Sequence, residues 1–239
     1  MNDLYCWETK FKYCCYSQRL LIKLLLLNKT AKLKINILKI KKAIYYTRKY
    51  HGDQKRESGE IYYSHPLEVA FNVADHCFKT DILVTSILHD VIEDTTLTEK
   101  MIEYIFDPTI ASQVEALTRV KFDRKISAAD TLDLLCIKNK DDLLLIKFFD
   151  RIHNIQTIHA KTPESMLKII KETIKKFISL SIYLKATIPN LIKVHETMLN
   201  LCFQALSIKQ HPLLSLVKKN FEDSFQLPFL EFQNEKYHT

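Results

Sequence analysis

Glycine and proline are scarce in this chain, which has 2 glycines and 6 prolines among 239 residues. Because both residues favour turns and loops, their scarcity indicates few turns and long periodic stretches. Both glycines, Gly52 and Gly59, lie in one short segment, so a glycine-rich phosphate loop of the Walker or Rossmann type is absent. Hydrophobic residues nevertheless make up 47% of the chain, which is ample for a core. The composition predicts an all-α protein.

Cysteine pairs with metal-site spacing and long apolar runs are also missing. The six cysteines show no C-x-x-C spacing, which excludes a zinc ribbon and a thioredoxin-type motif and favours reduced thiols in a cytoplasmic protein. The apolar run Leu20–Leu27 is interrupted by Lys23 and is far shorter than the roughly 20 residues that a membrane span needs. We therefore expect no transmembrane segment.

Positive charge is confined to one end of the chain. The net charge is +7, but residues 1–56 hold 14 basic and 3 acidic side chains, a balance of +11, and the remainder holds 21 and 25, a balance of −4. The body is therefore not a basic surface for nucleic acid, and we expect no nucleic-acid partner. The basic, apolar N-terminal segment is predicted to pack on the body or on a partner chain, with loose membrane attachment as an alternative.

The stretch Ile82–Asp94, ILVTSILHDVIED, combines an apolar helical pattern with four ionisable residues. Asp81 just before it is predicted to be the N-cap. His89 and Glu93 are four residues apart, as are Asp90 and Asp94, so each pair is predicted to share a side of one helix. Burying so many carboxylates requires a metal or another cation. The alternative is an amphipathic helix whose acidic side chains are solvated.

A second apolar stretch, Leu143–Ile158, carries Asp150 in its middle. Asn154 and Thr157 are predicted to lie on the same face as Asp150. Arg151 could neutralise this carboxylate, or Asp150 could share a metal with His89 and Asp90. Nitrogen and oxygen ligands without a nearby cysteine favour Mn²⁺, Mg²⁺ or Fe over a structural zinc.

The one plainly non-helical stretch, HGDQKRESGEIYYSHP, precedes these helices. Pro66 is expected in the first turn of the next helix, which places His65 at a helix start. A histidine there can be a cap or surface residue, but its closeness in sequence to the His-Asp stretch favours a metal ligand. Apolar residues at helical spacing predict further helices over 40–50, 67–78, 99–106, 108–120, 163–184 and 190–206. Residues 121–129 are predicted to form a polar loop.

Three blocks carry a family resemblance: HGDQKRESGEIYYSHPLEVA, ILHDVIEDT and LIKFFDRIHNIQT, followed by the pair Glu172-Thr173. In these blocks the sequence resembles the hydrolase domain of the RelA/SpoT family, a branch of the HD phosphohydrolases. The resemblance runs from about Ile40 to about Leu184 and implies a helical HD bundle with extra N- and C-terminal helices. We expect an extension over 1–39, the HD hydrolase domain over 40–200 and a C-terminal tail over 201–239.

The resemblance implies Mn²⁺-dependent removal of the 3′-pyrophosphate from guanosine tetra- and pentaphosphate, a reaction that ends the stringent-response signal. It implies three groups of residues: the metal ligands His65, His89, Asp90 and Asp150; the water-activating pair Glu93 and Asp94; and the nucleotide-binding set Arg56, Ser58, Lys147, Asn154 and Thr157. His51 is given a supporting role.

The sequence departs from the family pattern at a few positions. Asp53 stands where the family usually has Gly, Glu57 puts a negative charge near a polyphosphate, and Ala128–Asp133 replaces a Glu-Asn…Arg-Lys helix. No counterpart of the synthetase domain of long family members follows, so the resemblance implies a stand-alone hydrolase or a fragment. An HD phosphohydrolase with another nucleotide substrate, and a non-catalytic nucleotide-binding regulator, remain the alternatives.

Overall fold

The computed structural model describes residues 6–121, 124–184 and 191–207 and is almost entirely helical. The expected all-α class is confirmed, with one short antiparallel ribbon of strands β1 (Val120–Lys121) and β2 (Arg124–Lys125). The ribbon begins at the last residue of the helix predicted over 108–120 and continues into the predicted loop. The helices in chain order are α1 (Trp7–Lys10), α2 (Cys15–Thr30), α3 (Ile37–His51), α4 (Ser64–Val73), α5 (Thr80–Leu88), α6 (Val91–Asp94), α7 (Glu99–Ile105), α8 (Pro108–Leu117), α9 (Ala128–Ile137), α10 (Asp141–Gln156), α11 (Pro163–Glu172), α12 (Ser179–Leu184) and α13 (Leu191–Ser207).

Local capping residues explain several helix starts. The Thr98 hydroxyl accepts a hydrogen bond from the Met101 amide at the start of α7, and the Asp107 carboxylate accepts one from the Ile110 amide at the start of α8. Pro108 follows at the first position of α8, where its missing N–H costs no helical hydrogen bond. At the other end of a helix, Gly52 stops α3 in a conformation with φ of 52° that other residues rarely adopt.

The predicted single helix over residues 82–94 is wrong, because the chain breaks it between α5 and α6 at His89 and Asp90. The His89 ring donates from Nδ1 to the carbonyl of Ser86 at 2.8 Å, which is the carbonyl that the Asp90 amide would use in a continuous α-helix. The predicted N-cap is also wrong. Asp81 lies in the first turn of α5, where its carboxylate accepts a hydrogen bond from Gln113.

The core is built around α5 and α10, two helices with almost wholly buried apolar faces. Helix α4 packs against both of them, α3 packs on α5, and α13 packs on α10. Basic helix α2 lies on α4, where its inward leucines Leu20, Leu21 and Leu24 are buried. The N-terminal segment therefore packs on the body, as one of its predicted alternatives required.

Toward the C-terminus, the predicted helix over 163–184 is divided by a π-helical segment, Thr173–Ile178, between α11 and α12. Helix α13 runs through residue 200, where the predicted boundary between hydrolase domain and tail lies. The tail beyond residue 207 lies outside the described residues. All six cysteines are free thiols. Among the described residues, none of the helices combines the length and the apolar character that crossing a bilayer would require.

Candidate active site

The four residues predicted as metal ligands come from two helices and from a break between two others. His65 lies in the first turn of α4, His89 and Asp90 form the break between α5 and α6, and Asp150 lies in α10. Both imidazoles are buried, while the two carboxylates are only slightly exposed. The packing of α4 against α5 and α10 thus brings side chains from distant parts of the sequence together.

The ligand atoms of this cluster face one another at short range. One atom each from His65, His89 and Asp150 lie within 4.8 Å of one another. His65 Nε2 is 3.2 Å from Asp150 Oδ1 and 3.4 Å from Asp90 Oδ2. His89 Nε2 is 3.0 Å from Asp90 Oδ1. Two imidazole nitrogens and two carboxylates therefore enclose one small space, and we call these four residues the metal-ligand cluster.

The hydrogen bonding of His89 tests whether this space suits a cation. Its Nδ1 donates to the Ser86 carbonyl, so the neutral ring carries a lone pair on Nε2. That Nε2 atom is buried and has no hydrogen-bond partner among the described residues, although the Asp90 carboxylate is near. A lone pair that faces carboxylate oxygens is repelled unless a positive charge lies between them. The cluster fits a divalent metal ion, as the resemblance to HD phosphohydrolases implied.

The charges of the cluster agree with that fit. Burial opposes ionisation of Asp90, but the adjacent His89 and His65 hold the pKa of its carboxyl well below the usual range. Burial likewise opposes ionisation of Asp150, whereas His65 and then Lys147 lower the pKa of this carboxyl. Burial would lower the pKa of His89, yet the Asp90 carboxylate outweighs it and raises this pKa. Two ionised carboxylates in one nearly closed space favour a bound cation.

Arg151 is not the counter-ion of Asp150. Its guanidinium donates to Glu172 Oε2 at 2.6 Å and lies over the Phe177 ring at 4.2 Å. The nearest lysine is Lys147, whose Nζ is 3.9 Å from Asp150 Oδ2 and whose side chain is buried. The alternative in which Arg151 neutralises Asp150 is therefore wrong, and Arg151 joins α10 to α11 instead.

Glu93 faces an arginine that sequence reasoning did not single out. Arg119, just after α8, donates from Nη2 to Glu93 Oε1 at 2.8 Å and from Nε to the same oxygen at 3.2 Å. The Arg119 backbone amide adds a contact of 3.3 Å to Glu93 Oε2. The Glu93 side chain, 8% exposed, is thus held in one orientation as a carboxylate. His89 and Glu93 were predicted to share one face of a single helix. The helix breaks at residues 89 and 90, so the two residues do not belong to one continuous helix.

Asp94 is held by a different set of donors. The Tyr62 hydroxyl donates to Asp94 Oδ2 at 2.6 Å, and the Gln54 amide donates to the Asp94 backbone carbonyl at 3.0 Å. His51 stacks on the Tyr62 ring and is hydrogen-bonded through Nδ1 to Gln54 Oε1 at 2.8 Å. Burial raises the pKa of the Asp94 carboxyl, and the Tyr62 hydrogen bond only partly offsets it. A carboxyl with a raised pKa can exchange a proton nearer to neutral pH.

Two of the predicted nucleotide-binding residues meet beside the metal-ligand cluster. Arg56 donates from Nη2 to Asn154 Oδ1 at 2.7 Å, and Asn154 donates from Nδ2 to Asp150 Oδ1 at 2.6 Å. Arg56 also contacts His153, a neighbour that sequence reasoning missed, with 2.8 Å between Nη1 and Nδ1. His153 lies three residues after Asp150, a helical spacing that could have revealed it. Burial, His65 and Arg56 together lower the pKa of His153 to about 3.

The other predicted nucleotide-binding residues have different surroundings. The Ser58 hydroxyl is buried without a hydrogen-bond partner among the described residues, in the turn closed by Gly59. The Thr157 hydroxyl donates to the His153 carbonyl at 3.0 Å, within its own helix end. A free, buried hydroxyl at Ser58 can still bind a ligand, whereas Thr157 already has a partner, so both roles stay predictions.

The acidic departure at Glu57 is neutralised locally. Its carboxylate forms a surface ion pair with Lys161, with 2.7 Å between Oε1 and Nζ. In α9, which replaces the basic helix of the family, Asp133 forms a similar surface pair with Lys176. The negative charge of Glu57 is therefore compensated by a lysine of this chain.

Comparison with known proteins gives a family model and several relatives. The HD domain family model matches residues 43–181. The matched segment is 38% identical over 145 residues to "GTP pyrophosphokinase rsh" of Brucella ovis, covering 58% of this chain and 19% of that protein. It is 34% identical to "Bifunctional (p)ppGpp synthase/hydrolase SpoT" of Escherichia coli K12, and 32% identical to "Guanosine-3′,5′-bis(diphosphate) 3′-pyrophosphohydrolase" of Aquifex aeolicus. The chain spans about a fifth of the length of these relatives.

A solved structure shares the fold. The structure reported as "A metazoan ortholog of SpoT hydrolyzes ppGpp and plays a role in starvation responses" superposes with a TM-score of 0.56 at 20% sequence identity. The superposition covers 70% of this chain and 97% of that protein. The resemblance to the RelA/SpoT family is thus confirmed over the matched region, and the chain belongs to the HD domain family.

Proposed function

We propose that this chain is a Mn²⁺-dependent hydrolase that removes the 3′-pyrophosphate of guanosine tetra- and pentaphosphate, yielding GDP or GTP and pyrophosphate. The observation that carries the proposal is the convergence of His65, His89 and Asp150, with a buried His89 nitrogen left without a partner. The substrate is inferred from the named activities of the relatives, which share 32–38% of the residues in this region.

The metal-ligand cluster of His65, His89, Asp90 and Asp150 would hold the ion. Mixed imidazole and carboxylate ligands suit Mn²⁺. A bound divalent cation supplies Lewis acidity to phosphoryl oxygens and makes a coordinated water more acidic. The buried surroundings of both histidines limit competing solvent in this part of the site.

Glu93 and Asp94 are proposed to orient the attacking water and to accept its proton. Arg119 and Tyr62 hold the two carboxylates in fixed positions at the end of α6, beyond the break that carries His89 and Asp90. The water oxygen bonds to phosphorus, the bond from phosphorus to the 3′ oxygen breaks, and that oxygen receives a proton to leave a 3′ hydroxyl. A positioned general base typically contributes about 10²–10⁴-fold to such a step.

Nucleotide binding is assigned to Arg56, Ser58, Lys147, Asn154 and Thr157. Arg56 contacts His153 and Asn154 through two nitrogens, and a guanidinium has five N–H donors, so it can also donate to a phosphate. Lys147 lies at the edge of the metal-ligand cluster and can offset the charge of a polyphosphate. The Ser58 hydroxyl offers a buried polar contact that no described residue occupies.

Product analysis tests the proposal directly. The full chain is freed of metal, loaded with Mn²⁺ and incubated with guanosine tetraphosphate, and the products are separated by anion exchange. We expect GDP and pyrophosphate in equal amounts, and no turnover in excess chelator. Release of orthophosphate would indicate another phosphohydrolase reaction. Absence of turnover in metal-loaded protein that binds the nucleotide would favour a non-catalytic regulator.

Three further expectations stay predictions. The exposed apolar residues of α2 and the following loop, Ile22, Leu25, Leu26 and Leu33, leave room for a partner chain on the N-terminal segment. A cytoplasmic location and the lack of a nucleic-acid partner rest on cysteine usage and charge distribution in the sequence.

A further inference from the structure

The second ring nitrogen of His65 meets another histidine. His65 Nδ1 is 2.9 Å from His153 Nδ1, and the two ring centroids are 4.8 Å apart. Both rings are buried or nearly so. A hydrogen bond between two Nδ1 atoms needs one proton, so one ring donates and the other accepts. From this contact alone the direction of the bond is undetermined.

Arg56 determines that direction. Its Nη1 lies 2.8 Å from the same His153 Nδ1. A guanidinium only donates, so His153 Nδ1 must be an unprotonated acceptor. His65 Nδ1 must then be the protonated donor in its own contact with His153. In the neutral His65 ring this leaves the lone pair on Nε2, the atom that lies 3.2 Å from Asp150 Oδ1.

The other terminal nitrogen of Arg56, Nη2, determines the orientation of the Asn154 amide. Arg56 donates to Asn154 Oδ1, which obliges the Asn154 amide nitrogen to donate to Asp150 Oδ1. The backbone of the loop supports Arg56, whose amide donates to the Glu60 carbonyl at 2.8 Å. Two paths therefore lead from one guanidinium to two members of the metal-ligand cluster, one through His153 to His65 and one through Asn154 to Asp150.

We propose that His153 and Arg56 are positioning residues that hold a proton on Nδ1 of His65 and so make Nε2 its metal-binding atom. The inference rests on the proposed metal site and is independent of the substrate. Outer partners of metal-bound histidines fix the ring orientation and the tautomer, and their loss typically lowers metal affinity about 10–100-fold. The role is fixed by the positions of donors and acceptors around His153.

Nitrogen NMR of the metal-free full chain tests the hydrogen placement. Long-range proton–nitrogen spectra of protein labelled with ¹⁵N-histidine distinguish protonated from unprotonated ring nitrogens, and the His65→Gln variant assigns the signals. Well above the ordinary histidine pKa, we expect His65 to be protonated on Nδ1 and His153 to be unprotonated on Nδ1. A His65 ring protonated on Nε2 and unprotonated on Nδ1 would overturn the proposal without reference to metal or activity.

Manganese affinity of matched variants tests the consequence. His153→Leu removes the acceptor, and we expect about 10–100-fold weaker Mn²⁺ binding. His153→Gln, whose amide oxygen can accept from both donors, should restore most of the affinity. Arg56→Met should weaken binding, whereas Arg56→Lys, which retains a donor, should weaken it less. His195→Leu, which removes a buried histidine hydrogen-bonded to Ser181, is the control and should bind Mn²⁺ as the unaltered chain does.

The outcomes separate this inference from the proposed function. Binding of Mn²⁺ by folded His153→Leu as tight as by the unaltered chain would overturn the positioning role. Equal weakening in His153→Leu and His153→Gln would also overturn it, because the acceptor would then be irrelevant. Failure of the unaltered chain to bind Mn²⁺ would instead contradict the metal site itself, while the NMR result would still report the proton on His65.

Discussion

The ligand atoms of His65, His89, Asp90 and Asp150 face one another, whereas the carboxylates of Glu93 and Asp94 each face a donor of the protein. In the metal-ligand cluster a buried nitrogen of His89 has no hydrogen-bond partner among the described residues. Glu93 instead binds Arg119, and Asp94 accepts from Tyr62. Asp150 also accepts a hydrogen bond from Asn154, but His89 Nε2 faces the Asp90 carboxylate without a donor between them, and a cation there would satisfy both. The difference indicates that metal binding and proton transfer belong to separate sets of carboxylates.

Replacing one charged ligand of the metal-ligand cluster should have the largest effect on metal binding and turnover. Asp150→Asn replaces an ionised ligand by a neutral amide, which binds hard cations poorly. We expect bound Mn²⁺ and turnover to disappear together, with a loss beyond the about 10–100-fold typical of an outer partner. Elemental analysis and the rate of guanosine tetraphosphate hydrolysis measure the two effects. Asp142→Asn, in the same helix and ion-paired with Lys79 at the surface, is the control and should change neither.

Neutralising the carboxylate pair should separate the two functions. Glu93→Gln combined with Asp94→Asn keeps the shapes of both side chains but removes the proposed proton acceptor. We expect turnover to fall by about 10²–10⁴-fold, with bound Mn²⁺ and nucleotide affinity close to those of the unaltered chain. Single-turnover rates and elemental analysis decide the outcome. Loss of the metal would move the pair into the coordination shell, and an unchanged rate would remove it from the chemistry.

Replacing Arg119, which orients Glu93, should have an intermediate effect on the rate. Arg119→Gln leaves the carboxylate in place but removes the two-nitrogen contact that orients it. A misplaced catalytic group can cost up to about 10²-fold in rate, so we expect a lower maximal rate with Mn²⁺ binding retained. Arg19→Gln, which removes a surface ion pair with Glu68, is the matched control. A loss of metal in Arg119→Gln would contradict the separation of the metal ligands from the carboxylate pair of Glu93 and Asp94.

Some helix starts and the family motifs were predictable from the sequence, but the N-cap at Asp81 and the partners of the site residues were not. Thr98 and Asp107 cap their helices through amides three residues away, so the local pattern contains the whole interaction. The break at His89 depends on a ring-to-carbonyl bond that competes with the helix, and hydrophobic periodicity cannot detect it. The contact between Arg56 and His153 joins residues 97 positions apart, so only the folded chain reveals it.

The smallest expected effect is a shift in the pH dependence of the hydrolysis rate when the donor to Asp94 is removed. The Tyr62 hydroxyl donates a hydrogen bond to Asp94, which lowers the pKa of that carboxyl, and Tyr62→Phe removes this donor. Without this donor the pKa of Asp94 rises further, and a base must be unprotonated to act. The acidic limb of the rate profile should therefore move to higher pH, with little change in the maximal rate. Tyr104→Phe, at an exposed tyrosine, should leave the profile unchanged.

A Mn²⁺-bound structure of the full chain, with the ion located by anomalous scattering, tests the separation of the two sets most directly. We predict one ion in direct contact with His65 Nε2, His89 Nε2, Asp90 and Asp150, while Glu93 keeps its contact with Arg119 and Asp94 keeps its contact with Tyr62. An ion bound by Glu93 or Asp94, or one that contacts neither histidine, would contradict the assignment.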